Sequence, residues 1–155
     1  LPPLSMDEGL IGVLIGMSGV AGMVAAPLGG RMVDARGRTF TAAVGFCIVG
    51  LAMLLLYMSG DWITFAASLL VLGTGTALIW ASLLTMAVEI IPHLKGTVSS
   101  VFNSTRFFGY SLGPLVFGPL YALQGFDAVL LVGMALSLLS LPLVRILSSQ
   151  LKESQ

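Results

Sequence analysis

The sequence predicts an all-α membrane protein: a polytopic helical bundle with about five transmembrane helices. Hydrophobic residues make up 57% of the 155 positions and charged residues only 9%, and the mean hydropathy is +1.02. Soluble domains carry about 25% charged residues, so this chain could not keep its surface in water. The apolar segments are long and nearly continuous, which favours helices, because a spanning strand needs only about 9–11 residues of alternating polarity.

Five apolar segments follow one another, separated by short polar loops. Each is long enough to cross a hydrocarbon core of about 30 Å. Their approximate ranges are 9–32, 40–58, 62–91, 97–123 and 128–146.

Charge placement predicts the orientation of these segments. Basic residues occupy alternate loops and the C-terminal end, at Arg31, Arg36, Arg38, Lys95, Arg145 and Lys152. The other loops and the N-terminal end hold only acidic charges, at Asp7, Glu8, Asp61 and Asp127. Because basic residues accumulate in cytoplasmic loops, we expect a multi-pass protein of the cell (inner or plasma) membrane. Its N-terminus is expected outside and its C-terminus in the cytoplasm.

Several function classes are excluded by composition. Seven basic and seven acidic residues balance, so the chain has no electrostatic footprint for nucleic acid. Cys47 is the single cysteine, which rules out an internal disulfide. His93 is the single histidine, and no pair of aspartates lies at mid-membrane. We therefore expect no catalytic residues, no cofactor and no metal site.

Glycines recur near helical spacing in the first and fourth segments. They lie at Gly12, Gly16 and Gly19, and again at Gly109, Gly113 and Gly118. Small residues at such spacing let helix backbones approach closely in lipid, which predicts helix packing on these faces. The alternative is that glycine is simply common in membrane helices.

Residues 30–39, after the first segment, read GRMVDARGRT. This loop resembles the signature loop of the major facilitator superfamily, Gly-x-x-x-Asp-(Arg/Lys)-x-Gly-(Arg/Lys)-(Arg/Lys). Gly30, Asp34, Gly37 and Arg38 match it, whereas positions 35 and 39 depart from it. Gly37 can supply the positive φ of a tight turn. The resemblance implies that Asp34, Arg38 and Glu89 form a cytoplasmic charge cluster that acts as a latch during alternating access; the alternative is an ordinary solvated loop.

The fourth segment carries a second resemblance. Residues 109–118 read GYSLGPLVFG, which is similar to the Gly-Pro signature of proton-coupled drug exporters in the same superfamily, with Phe117 in place of a glycine. The preceding stretch, which includes Asn103 and Arg106, looks like the eleventh helix of drug-efflux members. Helix packing is therefore assigned to Gly109, Gly113, Pro114 and Gly118.

The resemblance also predicts what the chain lacks. A complete transporter of this type has twelve helices in two pseudo-symmetric halves. Counting from the signature loop, residues 1–155 form a partial transporter domain, helices two to six of one half. The degenerate loop and residues 106–109 favour the C-terminal half, helices eight to twelve, whereas the Gly-Pro element leaves helices two to six of the whole protein open. The expected partners are the lipid bilayer, a small-molecule substrate and about seven further helices.

By the same resemblance, the third segment lines the substrate path. Thr76 and Trp80 share one face at i, i+4, and a hydroxyl beside an aromatic ring suits a large, partly apolar ligand. A helix–helix contact, with the threonine hydroxyl bonded to its own backbone, is the alternative. Asn103 and Arg106 are candidates in the fourth segment. Arg106 either faces protein or a water-filled cavity or extends its side chain to the cytoplasmic surface.

The expected function is transmembrane transport of a small molecule by alternating access, as a proton-coupled antiporter that works in efflux. The alternative is a non-transporting helical membrane module or the remnant of a truncated transporter. No acidic residue lies at mid-membrane in the sequence, so a proton-carrying carboxylate would have to lie in further helices. The 155-residue chain alone is expected not to transport.

Overall fold

The computed structural model describes residues 8–153, which are helical apart from short connections. Helix α1 spans Glu8–Arg36, α2 spans Arg38–Met58 and α3 spans Trp62–Ile90. A single 3-10 turn, Pro92–Leu94, leads into a long helical stretch, Lys95–Glu153. This part of the chain contains no strand, and the predicted all-α fold class is confirmed. Asp7 and the other residues before Glu8 lie outside the described residues.

The long helical stretch consists of two helices. Gly125 has φ 82° and ψ −175°, a backbone conformation that is essentially restricted to glycine. We call residues 95–124 α4 and residues 126–153 α5. Four helical stretches are long and apolar enough to cross a membrane, and the break at Gly125 divides the last into two segments that each exceed the about 20 residues of one span.

The helices extend beyond the apolar segments at several ends. Helix α1 continues to Arg36 rather than stopping near residue 32, and α5 continues past residue 146. Arginine, lysine and glutamate are good helix formers, so the end of an apolar segment does not end the helix. Helix α3 begins where expected, because the Asp61 carboxylate accepts a hydrogen bond from the Thr64 backbone N–H at 3.3 Å and caps the first turn.

Helices α1 and α2 reverse direction at one residue. Gly37 has φ 86°, as the tight turn predicted from the sequence requires. Its N–H donates to the Val33 carbonyl at 2.9 Å, and its carbonyl accepts from the Thr41 N–H at 3.2 Å. The chain therefore leaves α1 and enters α2 with almost no loop.

Helix α3 is the centre of the bundle. It packs along both α1 and α2, and α2 packs in turn on α5. One apolar cluster joins α1, α2, α3 and α5 through Leu14, Leu56, Phe65 and Leu130, and a second joins Ala42, Met86 and Val144 near the other end. In contrast, no residue of α4 is fully buried. The bundle thus has a packed side and an open side.

Close backbone contacts on the packed side depend on glycines in α2 and α3. A Cβ at Gly73 would overlap the Ser18 carbonyl oxygen of α1. A Cβ at Gly75 would lie 2.9 Å from side-chain atoms of α2, and one at Gly45 would lie 2.8 Å from Ile79. We call Gly45, Gly73 and Gly75 the glycine seam. These three positions were not singled out in the sequence, where they lie outside the regularly spaced glycines.

The glycines that the sequence did single out lie elsewhere. A Cβ at Gly109, Gly113 or Gly118 would meet nothing within 4 Å, and the same holds for Gly12, Gly16 and Gly19. Pro114 is exposed as well. Within residues 8–153 these faces pack on no helix, so the packing role assigned to them stays a prediction that needs a partner beyond these residues.

Candidate functional site

The four residues predicted to lie on a substrate path line one cleft. Thr76 and Trp80 come from α3, Asn103 and Arg106 come from α4, and residues 18–26 of α1 supply the opposite wall. The cleft has a volume of about 620 Å³. Helices α1 and α4 do not pack directly on each other, which leaves this space open between them.

Arg106 is half-buried in the cleft and lies against aromatic rings. Its guanidinium carbon is 4.9 Å from the centre of the Trp80 ring, 5.2 Å from that of Phe107 and 5.6 Å from that of Tyr110. Such contacts hold a cation over the negative face of a ring. In the structure, Arg106 therefore faces protein and a cavity, the first of the two placements considered from the sequence.

Aromatic side chains form the walls beside Arg106. Trp80 meets Phe102 at 5.8 Å between ring centres and Tyr110 at 6.4 Å, in both cases edge to face, a favourable arrangement of the ring quadrupoles. Sequence reasoning missed Phe102 and Tyr110. Their spacing could have revealed them, because residues 102, 106 and 110 recur every four positions and therefore share one helix face.

The remaining polar groups of the cleft are partly occupied by their own helices. The Thr76 hydroxyl donates to the Gly73 carbonyl at 2.9 Å, and the Asn103 amide donates to the Ser99 carbonyl at 3.0 Å. The backbone bond considered for Thr76 therefore forms, although Thr76 also borders the cleft. Arg106 differs, because its Nε is buried and has no hydrogen-bond partner in the part of the chain that the structure describes.

A second group of predicted residues meets where α1, α2, α3 and α5 come together. Arg38 of α2 forms an ion pair with Glu89 of α3. Asp34 and Gly37 line the same cavity, which has a volume of about 730 Å³, whereas Gly30 does not line it. Arg36 and Arg145 also border this cavity. Arg145 was considered only for orientation, although its place in the last basic segment puts it at the same end of the bundle.

The two sites lie at different heights along α3. Trp80 and Glu89 are nine residues apart, which corresponds to about 14 Å at 1.5 Å per residue. The cleft is therefore set partway along the helices, whereas the ion pair joins α2 and α3 near their ends. The first arrangement leaves space for a ligand, and the second links two helices.

The sequence model of the Major Facilitator Superfamily matches residues 3–154. The chain belongs to the major facilitator superfamily. This match confirms the family that residues 30–39 and 109–118 resemble. No curated protein and no solved structure matches the chain. Members of the family are membrane transporters of small molecules rather than enzymes, so this chain is a multi-pass membrane protein of a transporter family.

Membership in the major facilitator superfamily gives the two sites a context. The loop that resembles the family's signature forms the tight turn at Gly37, and Arg38, directly after this turn, pairs with Glu89. The cleft combines one cation with aromatic walls, which can bind a small molecule through charge and apolar contact together.

Proposed function

We propose that this chain forms part of a transporter that moves a small, partly aromatic molecule by alternating access, with the cleft on its substrate path. The supporting observation is the Arg106 guanidinium, 4.9 Å from the Trp80 ring centre inside a cleft of about 620 Å³. Charged residues within membrane helices are costly and mark substrate or ion pathways. The volume falls within the about 300–1,000 Å³ typical of small-molecule sites.

The open side of the bundle is where we propose that a further transporter half docks. Leu115 and Leu123 of α4 are 71% and 83% exposed, and the α4 glycines meet no neighbour in the described chain. In the proposed complete protein, about seven further helices cover this side and close the cleft. The 155-residue chain alone then shows no flux, and co-expression with those helices restores it.

The direction and energy source belong to the same proposal. We propose efflux driven by a proton gradient, on the resemblance of α4 to drug exporters. The lining of the cleft includes no carboxylate among the described residues, so the proton-carrying group would lie in the further helices. Collapse of the pH gradient with an ionophore should stop efflux, and continued efflux would contradict proton coupling.

We further propose that the N-terminus lies outside and that the Arg38–Glu89 ion pair is a cytoplasmic latch. The supporting observations are the basic residues gathered at one end and the shared cavity of Asp34, Arg38 and Glu89. Arg36→Cys on a Cys47→Ser background should react with an impermeant maleimide only from the cytoplasmic side. Labelling from outside would overturn the orientation.

Flux through the complete gene product in proteoliposomes tests the role of the cleft. The probes are the anion 2-naphthoate and the cation 2-naphthylmethylammonium, and transport of either one is sufficient. Trp80→Ala should lower the initial rate about tenfold, because a lost cation–π and apolar contact is worth about 1–2 kcal/mol. Trp62→Ala is the matched control, since Trp62 is exposed at the start of α3, outside the cleft, and its rate should stay within about twofold of the parent protein.

Equal flux rates for Trp80→Ala and Trp62→Ala would show that the cleft is not on the substrate path. Absence of gradient-dependent flux of both probes in the parent protein would favour the non-transporting membrane module instead.

A further inference from the structure

The charge balance of the cleft is one-sided. Arg106 is the one charged side chain among its described lining residues, which otherwise comprise aromatic, aliphatic, glycine and small polar positions. The Arg38–Glu89 ion pair involves neither Arg106 nor any other residue that lines the cleft. Nothing in the described lining thus neutralises the guanidinium.

Aromatic contacts compensate Arg106 only in part. A cation–π contact is a weak attraction, smaller than the free-energy cost of removing a charge from water even after the surroundings relax. The contacts with Trp80, Phe107 and Tyr110 are cation–π contacts and not hydrogen bonds. Consistent with this, Nε is buried and lacks a hydrogen-bond partner within residues 8–153.

The other polar groups of the cleft do not offer an equivalent site. The Thr76 hydroxyl proton and one N–H of Asn103 are directed to backbone carbonyls of their own helices. Arg106 is therefore the group in the cleft that gains most from an acceptor, and a carboxylate fits its planar set of donors by two parallel hydrogen bonds.

The aromatic walls of the cleft favour a ligand with an apolar body. Trp80, Phe102 and Tyr110 surround the region beside the guanidinium, so a ligand anchored on Arg106 would place its body against aromatic rings. Offset or edge-to-face contact with a ring of the ligand stabilises binding beyond the burial of apolar area alone.

We propose that the cleft selects amphipathic aromatic anions, with a carboxylate on Arg106 and the ring system against Trp80, Phe102 and Tyr110. This inference rests on the proposed function, whose substrate class it names. It excludes organic cations as the preferred ligands, because a cation would face Arg106 without a compensating carboxylate in the described lining.

Three probes of nearly equal shape test this selection: 2-naphthoate, neutral 2-naphthamide and 2-naphthylmethylammonium. Binding is measured by isothermal titration calorimetry on the complete gene product in lipid nanodiscs, without any gradient. Naphthoate should bind at least about tenfold more tightly than the amide, since a hydrogen bond to a charged group contributes about 1.5–3 kcal/mol. The ammonium probe should bind most weakly.

Variants then locate the preference. Arg106→Gln should bring naphthoate and naphthamide to within about twofold of each other. Arg106→Lys should preserve the order of the probes with weaker naphthoate binding, because lysine keeps the charge but loses the planar donors. Arg31→Gln is the charge-matched control, since Arg31 is exposed and lines neither cavity, and it should leave all three affinities unchanged.

Equal or tighter binding of the ammonium probe to the parent protein would overturn the inference, as would undetectable naphthoate binding or an anion preference that survives Arg106→Gln. If Arg106→Gln does not fold, the parent protein and Arg106→Lys still decide the order of the probes. Flux without anion preference would support the transport proposal and contradict the selection of anions. Anion preference without flux would support the selection of anions and contradict the transport proposal.

Discussion

Glycines on the packed side and on the open side of the bundle have opposite surroundings. In the glycine seam, Gly73 faces the Ser18 backbone and Gly75 faces the α2 side chains at 2.9 Å. On α4, Gly109 and Gly113 would accept a methyl group without meeting any atom within 4 Å. The same residue type thus allows backbone contact in one region and leaves an unfilled face in the other.

This difference separates what holds the chain together from what it presents to its surroundings. Helix α3 is held between α1 and α2 by close contacts at the glycine seam. In contrast, α4 contains no fully buried residue and meets Trp80 of α3 through Phe102 and Tyr110. A cleft needs walls that do not close on each other. In this chain the loosely packed helix supplies one of them.

The largest expected effect is on the glycine seam. Gly73→Ala should lower the free energy of unfolding of the 155-residue chain by about 3 kcal/mol or more, because backbone must move to admit the methyl group. Gly109→Ala is the matched control and should be neutral or stabilising by up to about 1 kcal/mol, from helix propensity. SDS-induced unfolding followed by circular dichroism measures both. Similar losses of unfolding free energy in Gly73→Ala and Gly109→Ala would contradict the difference in packing between the packed side and the open side.

A smaller effect is expected from a single hydrogen bond on the packed side. The Ser137 hydroxyl of α5 donates to the Phe46 carbonyl of α2 at 2.7 Å. Ser137→Ala should cost about 0.5–1.5 kcal/mol in the same unfolding assay. The control is Ser140→Ala, because the Ser140 hydroxyl bonds only to Leu136 of its own helix. An unchanged stability for Ser137→Ala would show that α5 is held by apolar packing alone.

The smallest effect on stability is expected from the Arg38–Glu89 ion pair. Both side chains are partly exposed, so the coupling energy in a double-mutant cycle of Arg38→Gln and Glu89→Gln should be about 0.5 kcal/mol. The reversed pair, Arg38→Glu with Glu89→Arg, should recover part of the loss seen in either single charge reversal. A coupling above about 2 kcal/mol would mean that charge rather than close packing holds α2 to α3 at this end.

Composition and segment length were sufficient to predict the fold class. Long apolar segments with few charges belong in a membrane, where the backbone must form its hydrogen bonds internally, and segments of this length do so as helices. The motif around Gly37 also predicted a turn that its φ of 86° fits. Glycine spacing was a poorer guide, since it shows where a close contact is allowed and not whether a neighbour occupies it. The seam glycines Gly45, Gly73 and Gly75 depend on which helices adjoin, a tertiary property.

The candidate cleft was only partly predictable. Thr76, Trp80, Asn103 and Arg106 were identified one segment at a time, and the structure brings them to one cavity. Phe102 and Tyr110 were missed because aromatic residues are common in membrane helices, and their significance depends on the guanidinium between them. Arg145 joined the charged cavity through the packing of α5 on α2, which no local pattern records.

Cysteine accessibility at position 103 tests the central claim that the cleft is a substrate path reached from both sides. Asn103→Cys is introduced into the complete gene product on a Cys47→Ser background, and an impermeant maleimide is applied from either side of the membrane. Leu139→Cys is the control, because Leu139 lies in the middle of α5, is 62% exposed and is not among the residues that line the cleft. We expect position 103 to react from each side, 2-naphthoate to slow the reaction, and position 139 to stay unreactive. If position 103 fails to react from one or both sides, or if 2-naphthoate does not slow its reaction, the cleft is not a substrate path reached from both sides.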